Sequence, residues 1–230
     1  WRAGAIAALA LCVFGAAPAH AQGFDAARAE MIHVLESHRA EMERLIGPQA
    51  LDPTVLAVMA EVPRHEFVPR AEQHRAYDNR PLPIGSGQTI SQPLIVALMT
   101  SVLAPKAGDV VLEVGTGSGY QAAVLARLVK KIYTIEIVPS LAKQAGERLA
   151  QLGYGNVEVR AGDGYQGWPD AAPFDGIIVT AAPDQIPQRL VEQLRPGGRM
   201  VLPVGERFAA QQLTMVEKDQ SGGISVRELL

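Results

Sequence analysis

The amino-acid sequence predicts an α/β fold: a mostly parallel sheet with helices on both faces and an antiparallel hairpin at the C-terminal end. Three observations carry this expectation. From Asp109 onward, short apolar runs alternate with helical stretches, the pattern of a parallel sheet covered by helices. The apolar runs are continuous, as strands buried on both faces must be. One of them, Val110 to Val114, leads straight into the glycine-rich turn Gly115-Thr116-Gly117-Ser118-Gly119. With 230 residues, 48% of them hydrophobic, the chain is long enough to bury one full core.

The N-terminal segment differs from the rest. Arg2 precedes an unbroken small and apolar run, Ala3 to Ala17, followed by Pro18 and Ala19-His20-Ala21. A basic residue, a short apolar stretch and an A-x-A site describe a secretory signal peptide over residues 1–21. The run is shorter than the roughly 20 residues a membrane span needs, so membrane contact is expected only transiently, through the leader. Export to the periplasm or beyond is the expectation. The alternative is a buried N-terminal helix of a cytoplasmic protein.

Residues 22–104 read as a helical, substrate-side region that packs with the core, residues 105–230, into one structural domain. Met31, Leu35, Met42 and Leu45 predict an amphipathic helix over 24–46. Asp52-Pro53 starts a helix that runs to about Glu61, with the acid as cap and proline in the first turn. Val62 to Pro69 is irregular, and Arg80 to Gln88, rich in proline and glycine, reads as a loop. A helix is expected from Gln92 to Leu103. Strands follow over 109–114, 131–137, 157–161, 174–180 and 199–203. Helices over 120–129, 140–152 and 185–194 separate them. Two last strands, 212–218 and 224–230, flank Ser221-Gly222-Gly223 and form the hairpin.

A net charge of −3 provides no basic field, which argues against a general nucleic-acid partner. The single cysteine, Cys12, excludes a disulfide within the chain and a cysteine-based metal site, and no metal is expected. A monomer is expected.

Chemistry concentrates at the carboxyl ends of the predicted strands, where open α/β sheets bind ligands. In a dinucleotide fingerprint the third glycine lies three residues after the second. Here Gly119 lies two after Gly117, and an acid, Glu113, precedes the turn. The G-x-G-x-G spacing resembles the turn of nucleoside-type methyltransferases. The plain alternative is a tight strand-to-helix turn with no ligand. Glu136 ends the next strand, 21 residues after Gly115, beside Ile137. A carboxylate there can accept from both hydroxyls of a ribose. Asp163, in Gly162-Asp163-Gly164, can meet an adenine amino group. Each acid could equally be a solvated loop carboxylate. His65 reads as structural or surface, and Tyr165 and Trp168 as core or pocket wall. Ser91, before Gln92-Pro93, has the spacing of a helix N-cap.

Several segments together resemble the protein-L-isoaspartate O-methyltransferase family. They are Pro81-Leu82-Pro83-Ile84-Gly85, Gly87-Gln88-Thr89-Ile90-Ser91-Gln92-Pro93, Leu112 to Ala126, Gly162-Asp163-Gly164, Phe174 to Ala182, and Leu194 to Gly205. The similarity spans roughly residues 30–230. It implies a Rossmann-like class I fold with S-adenosyl-L-methionine as cofactor and S-adenosyl-L-homocysteine as product. It also implies partners that are damaged proteins or peptides containing L-isoaspartyl residues. Their misplaced α-carboxylate is methylated, and the ester then cyclises to a succinimide that reopens partly to aspartate. The resemblance makes Ser91 the active-site serine, with Thr89 and Ile90 on the same wall. It makes Thr89, Ile90, Glu113, Gly115, Thr116, Gly117, Ser118, Gly119, Glu136, Ile137, Asp163, Gly164 and Gln212 cofactor-binding residues. Ser86 departs from the pattern, standing where many relatives carry an aromatic residue, and this implies a looser pocket wall. Competing readings are a methyltransferase of the same fold acting on another acid, and a binding module without catalysis.

Overall fold

The computed structural model describes residues 19–205 and 211–230. The predicted leader up to Pro18 lies outside them. Among the described residues, no helix is long and apolar enough to cross a membrane.

The N-terminal region packs four helices: α1 (Ala19–Ser37), α2 (Arg39–Ile46), α3 (Pro53–Glu61) and α4 (Pro93–Leu103). The single helix expected over 24–46 is broken at His38. Ser37 Oγ donates to the Val34 carbonyl at 2.7 Å, and His38 Nδ1 bonds the same oxygen at 2.8 Å. Side chains that take a backbone carbonyl compete with the helical ladder. After the break Ile46 is buried, whereas Leu45, expected on the apolar face, is 52% exposed. Helix α3 starts as its sequence predicts, with Asp52 Oδ1 accepting from the Thr54 amide.

The segment expected as a loop before α4 is a small hairpin instead. Strand β1 (Leu82–Gly85) pairs antiparallel with β2 (Gln88–Ile90). Ser86 and Gly87 turn the chain with φ of 52° and 70°, the paired positive values of a two-residue hairpin turn. The prolines and glycines hide the strands from a reading by propensity. Proline is tolerated here because both strands are edges.

The core sheet holds β3 (Val110–Val114), β4 (Lys131–Glu136), β5 (Val157–Ala161), β6 (Phe174–Val179), β7 (Leu194–Val204), β8 (Gln212–Lys218) and β9 (Ile224–Glu228). Their order is β5-β4-β3-β6-β7-β8-β9. Strands β3 to β7 pair in parallel, and β7-β8 and β8-β9 are antiparallel, as expected for a terminal hairpin. Connecting helices are α5 (Tyr120–Ala126), α6 (Pro139–Gln151) and α7 (Gln188–Glu192). Helix α7 is shorter than expected, because it starts only after Pro187.

Successive residues of β3 serve opposite faces. Val111 joins the core cluster shared with α4 and α5, together with Ile132, Ile178 and Val201. Leu112 joins the second cluster, with Ile135, Ile177 and Met200. This two-sided burial explains why the strands read as continuous apolar runs. Strand order reverses between β4 and β6 on either side of β3, which places a crevice at the carboxyl end of β3.

Candidate active site

A cavity of about 230 Å³ opens at that crevice. Its floor is the turn after β3. Gly115, Gly117 and Gly119 all have positive φ, at 98°, 53° and 92°. Gly115 lacks room for a side chain, since a Cβ there would stand 2.6 Å from Thr180 Oγ1, and one on Gly117 would press on Ile84 Cδ1 at 3.2 Å. The β1–β2 hairpin therefore closes over the turn. Gly119 has a different task. A Cβ there would press into Leu149 of α6, so this glycine permits close helix packing, and it does not line the cavity. The turn is held from both sides, by Gly115 N donating to Ile135 O at 2.8 Å and Thr180 Oγ1 donating to Gly115 O at 2.6 Å.

Glu136, at the end of β4, is 4% exposed and on the cavity wall. Oε2 accepts from the Gly117 amide at 2.8 Å, and Oε1 from the Val138 amide at 2.9 Å. Each oxygen keeps lone-pair capacity beyond its amide bond, so a fixed carboxylate remains able to accept from a ligand's hydroxyls. Ile137, 69% exposed, forms part of the rim, as does Tyr165, 51% exposed. Asp163 and Gly164 line the same end. Asp163 Oδ1 caps the following 3₁₀ turn by accepting from the Tyr165 amide at 3.0 Å. Gly164 has Val114 Cγ1 2.3 Å from where its Cβ would stand, so no side chain fits there.

Glu113 lies underneath. It is fully buried, and its Oε2 accepts from Thr134 Oγ1 at 2.6 Å, which lies 2.6 Å from Thr116 Oγ1. Where Thr134 donates its one proton to Glu113, Thr116 donates in turn to Thr134. Among the described residues Glu113 Oε1 has no hydrogen-bond partner. Burial, aided by the nearby charge of Glu136 and opposed by the Thr134 bond, pushes its carboxyl up to about 8. Glu113 thus supports the turn from below while touching the cavity.

The far wall is Thr89, Ile90 and Ser91, from β2 and the residue after it. Ser91 does not cap α4. The N-cap is Gln92, which makes no side-chain cap bond, and Asn79 Oδ1 accepts from the Leu94 amide at 3.0 Å instead. The Ser91 hydroxyl, with no intramolecular partner among the described residues, stays available to the cavity.

The structure thus gathers Ser91, Thr89, Ile90, Glu113, Gly115, Thr116, Gly117, Ser118, Glu136, Ile137, Asp163 and Gly164 around one space. Gln212 is not on its wall. It begins β8, paired with Val204 at the outer side of β7 and exposed. Ser86 is exposed at the hairpin turn and does not itself line the cavity. Trp168 is buried under the Arg160 guanidinium, 4.0 Å from the ring centre, as a core residue. Wall residues that sequence reasoning did not single out include Tyr120, Gln121, Thr180 and Pro183. Tyr120, Gln121 and Thr180 lie within the segments that carry the family resemblance, whereas Pro183 lies just beyond them.

Comparison with known proteins agrees with this geometry. Residues 36–230 match the family model described as Protein-L-isoaspartate(D-aspartate) O-methyltransferase (PCMT). The chain is 56% identical over 222 residues to protein-L-isoaspartate O-methyltransferase 2 of Syntrophobacter fumaroxidans, covering 96% of this chain and 90% of that protein. It is 60% identical over 184 residues to protein-L-isoaspartate O-methyltransferase 2 of Polaromonas sp., covering 80% and 87%. A solved protein-L-isoaspartate O-methyltransferase superposes with a TM-score of 0.71 at 27% identity, over 87% of this chain and 63% of that one. A Plasmodium falciparum beta-aspartate methyltransferase, solved with S-adenosyl-L-homocysteine, has the same fold, with a TM-score of 0.72 at 23% identity over 88% and 94%. The sheet order, the glycine turn and a match over most of the chain lead to one conclusion: this chain belongs to the protein-L-isoaspartate O-methyltransferase family.

Proposed function

We propose that this chain transfers the methyl group of S-adenosyl-L-methionine to the free α-carboxylate of L-isoaspartyl residues in damaged proteins and peptides. The observation that carries the reading is a single cavity that runs from Glu136 and the glycine turn to the Ser91 wall. One end suits a nucleoside and the other an acceptor, and the family membership names both. The donor set fits the cofactor. Gly115 and Gly117, both at positive φ, expose bare backbone to a ligand, and Glu136 is already fixed by two amides.

The cofactor, when bound, supplies an electrophilic methyl group for in-line displacement by a carboxylate oxygen. The chain's own residues hold and aim. Glu136 accepts from the ribose hydroxyls, and the Asp163–Gly164 segment borders the base. An acceptor carboxylate is anionic at neutral pH, so no general base is needed. The Ser91 hydroxyl donates one hydrogen bond that orients it. Among the described residues no His/Asp pair bonds Ser91, so nothing activates it as a nucleophile. Holding two reactants in line can contribute about 7–11 kcal/mol in favourable cases.

The test is transfer of labelled methyl to an isoaspartyl peptide and to its normal aspartyl twin. Labelling of the isoaspartyl peptide alone supports the reading. Equal labelling of both, or of neither, overturns it. Export is part of the same proposal, supported by the leader-like composition of residues 2–21. N-terminal sequencing of the mature protein checks it: a start at Gln22 supports export, and a retained leader contradicts it.

A further inference from the structure

Arg64 is a buried charge that the proposed chemistry does not use. It is 0% exposed, in the short 3₁₀ turn Arg64–Phe67. Nε donates to Ala76 O at 2.8 Å and Nη2 to Ser91 O at 2.7 Å. The guanidinium carbon stands 4.7 Å from the centre of the Tyr120 ring. Among the described residues neither Nη1 nor the Tyr120 hydroxyl has a partner of full hydrogen-bond geometry, but the two side chains make a looser polar contact that favours the charged guanidinium. Among the described residues no carboxylate forms an ion pair with it. The titratable groups that act on it are two phenols, Tyr120 and Tyr77. Burial raises both, Tyr120 to about 12, so neither is an anion at neutral pH.

An unpaired buried guanidinium is costly, and arginine does not shed its proton to escape the cost. Two carbonyls and a ring face soften the penalty but leave the charge uncancelled. Both Ser91 and Tyr120, the residues the guanidinium touches on this side, are cavity wall. The cation therefore lies directly behind the acceptor end, separated from it by one layer of protein. Water screens a buried charge poorly, so its field reaches into the cavity.

We propose that Arg64 is a positioning residue that supplies the counter-charge for the acceptor carboxylate, acting from behind Ser91 and Tyr120. This rests on the reading of an anionic acceptor given above. The carboxylate completes an ion pair at a distance that the folded chain leaves half made. A neutral group of the same shape gains nothing from the cation, so Arg64 also sets specificity for an acid over an amide.

The experiment uses the full chain, as wild type, Arg64→Met and Arg64→Lys. Methylation kinetics are measured on an isoaspartyl peptide, with inhibition by the same peptide carrying an α-carboxamide. S-adenosyl-L-homocysteine affinity is measured by calorimetry. For Arg64→Met the expectation is a KM raised about tenfold or more, with carboxylate and carboxamide bound alike. Homocysteine-nucleoside affinity stays within about threefold, and Arg64→Lys recovers most of the KM. An unchanged KM in an active Arg64→Met variant overturns the inference alone. So does a loss that falls equally on cofactor affinity and that lysine does not rescue, which marks a purely structural tether. If Arg64→Met does not fold, the wild type decides: equal binding of carboxylate and carboxamide peptides overturns the inference, and a preference for the acid supports it. A wild type that methylates no isoaspartyl peptide removes the acceptor reading, and the inference falls with it.

Discussion

Ser91 and Glu136 line one cavity, and their replacement should separate two functions. Ser91→Ala removes a hydrogen bond to a charged acceptor, worth about 1.5–3 kcal/mol, so methyl transfer should fall about tenfold to a hundredfold. Homocysteine-nucleoside affinity should hold. Full activity would mean that the serine does not orient the acceptor. Glu136→Gln keeps the shape, but its amide NH₂ faces the Gly117 or Val138 donor, so it disturbs the turn and the ribose contact together. Calorimetry should register weaker cofactor binding before any change in peptide KM. Gly115 tests the frame itself. Its φ of 98° and a Cβ contact of 2.6 Å with Thr180 Oγ1 leave no room for a methyl group. That oxygen is held by Gly115 O and Val114 O and cannot easily yield. Gly115→Ala should cost about 2–4 kcal/mol, read as a lower urea midpoint without cofactor.

At the scale of elements, the β1–β2 hairpin is the least legible part of the sequence and one of the most consequential. It delivers Thr89 and Ile90 and lays Ile84 over Gly117. Ser86 occupies the left-handed region at φ 52°, where a non-glycine residue is strained. Ser86→Asn creates the Asn-Gly pair that such turns prefer, and it should stabilise the chain by up to about 1 kcal/mol, a rise of about 2–4 °C in Tm. Kinetics should not change, because Ser86 is off the cavity wall. A lower Tm would mean that the turn does not need its positive φ. The contrast with the core sheet explains what sequence can reveal. Strands buried on both faces, such as β3 and β6, announce themselves as apolar runs, and the turn between β3 and α5 announces itself by glycine spacing. Burial and backbone geometry write these directly into residue type. The break at His38, the capping of α4 by Asn79 and the position of Gln212 depend on contacts between distant segments. Nothing in the local spacing encodes them. Arg64 is the extreme case: its segment, Val62 to Pro69, reads only as irregular, and the packed structure buries it behind Ser91.

At the scale of the whole molecule, one buried acid should tilt stability across pH. Glu113 sits at the sheet's centre, fully buried, with its carboxyl raised from 4.5 to about 8. Between those values the folded chain holds a proton that the unfolded chain has released. Stability from this group is therefore fully present below about 4.5 and is lost as pH rises through about 8. His65 opposes it at lower pH. Desolvation depresses the His65 ring below 6.5, so the unfolded chain binds the extra proton there and stability rises with pH up to that point. The clean window for Glu113 is thus from about 7 to about 8, where the slope from this one group approaches about 1 kcal/mol per pH unit. Glu113→Gln keeps a neutral acceptor for Thr134 and cannot titrate. Thermal melts of the cofactor-free wild type should fall in Tm across that window at constant ionic strength, and those of the variant should stay flatter. Parallel slopes for the two proteins would show that Glu113 ionises in the folded chain as it does in water, through solvent or a cation reaching its unpartnered Oε1.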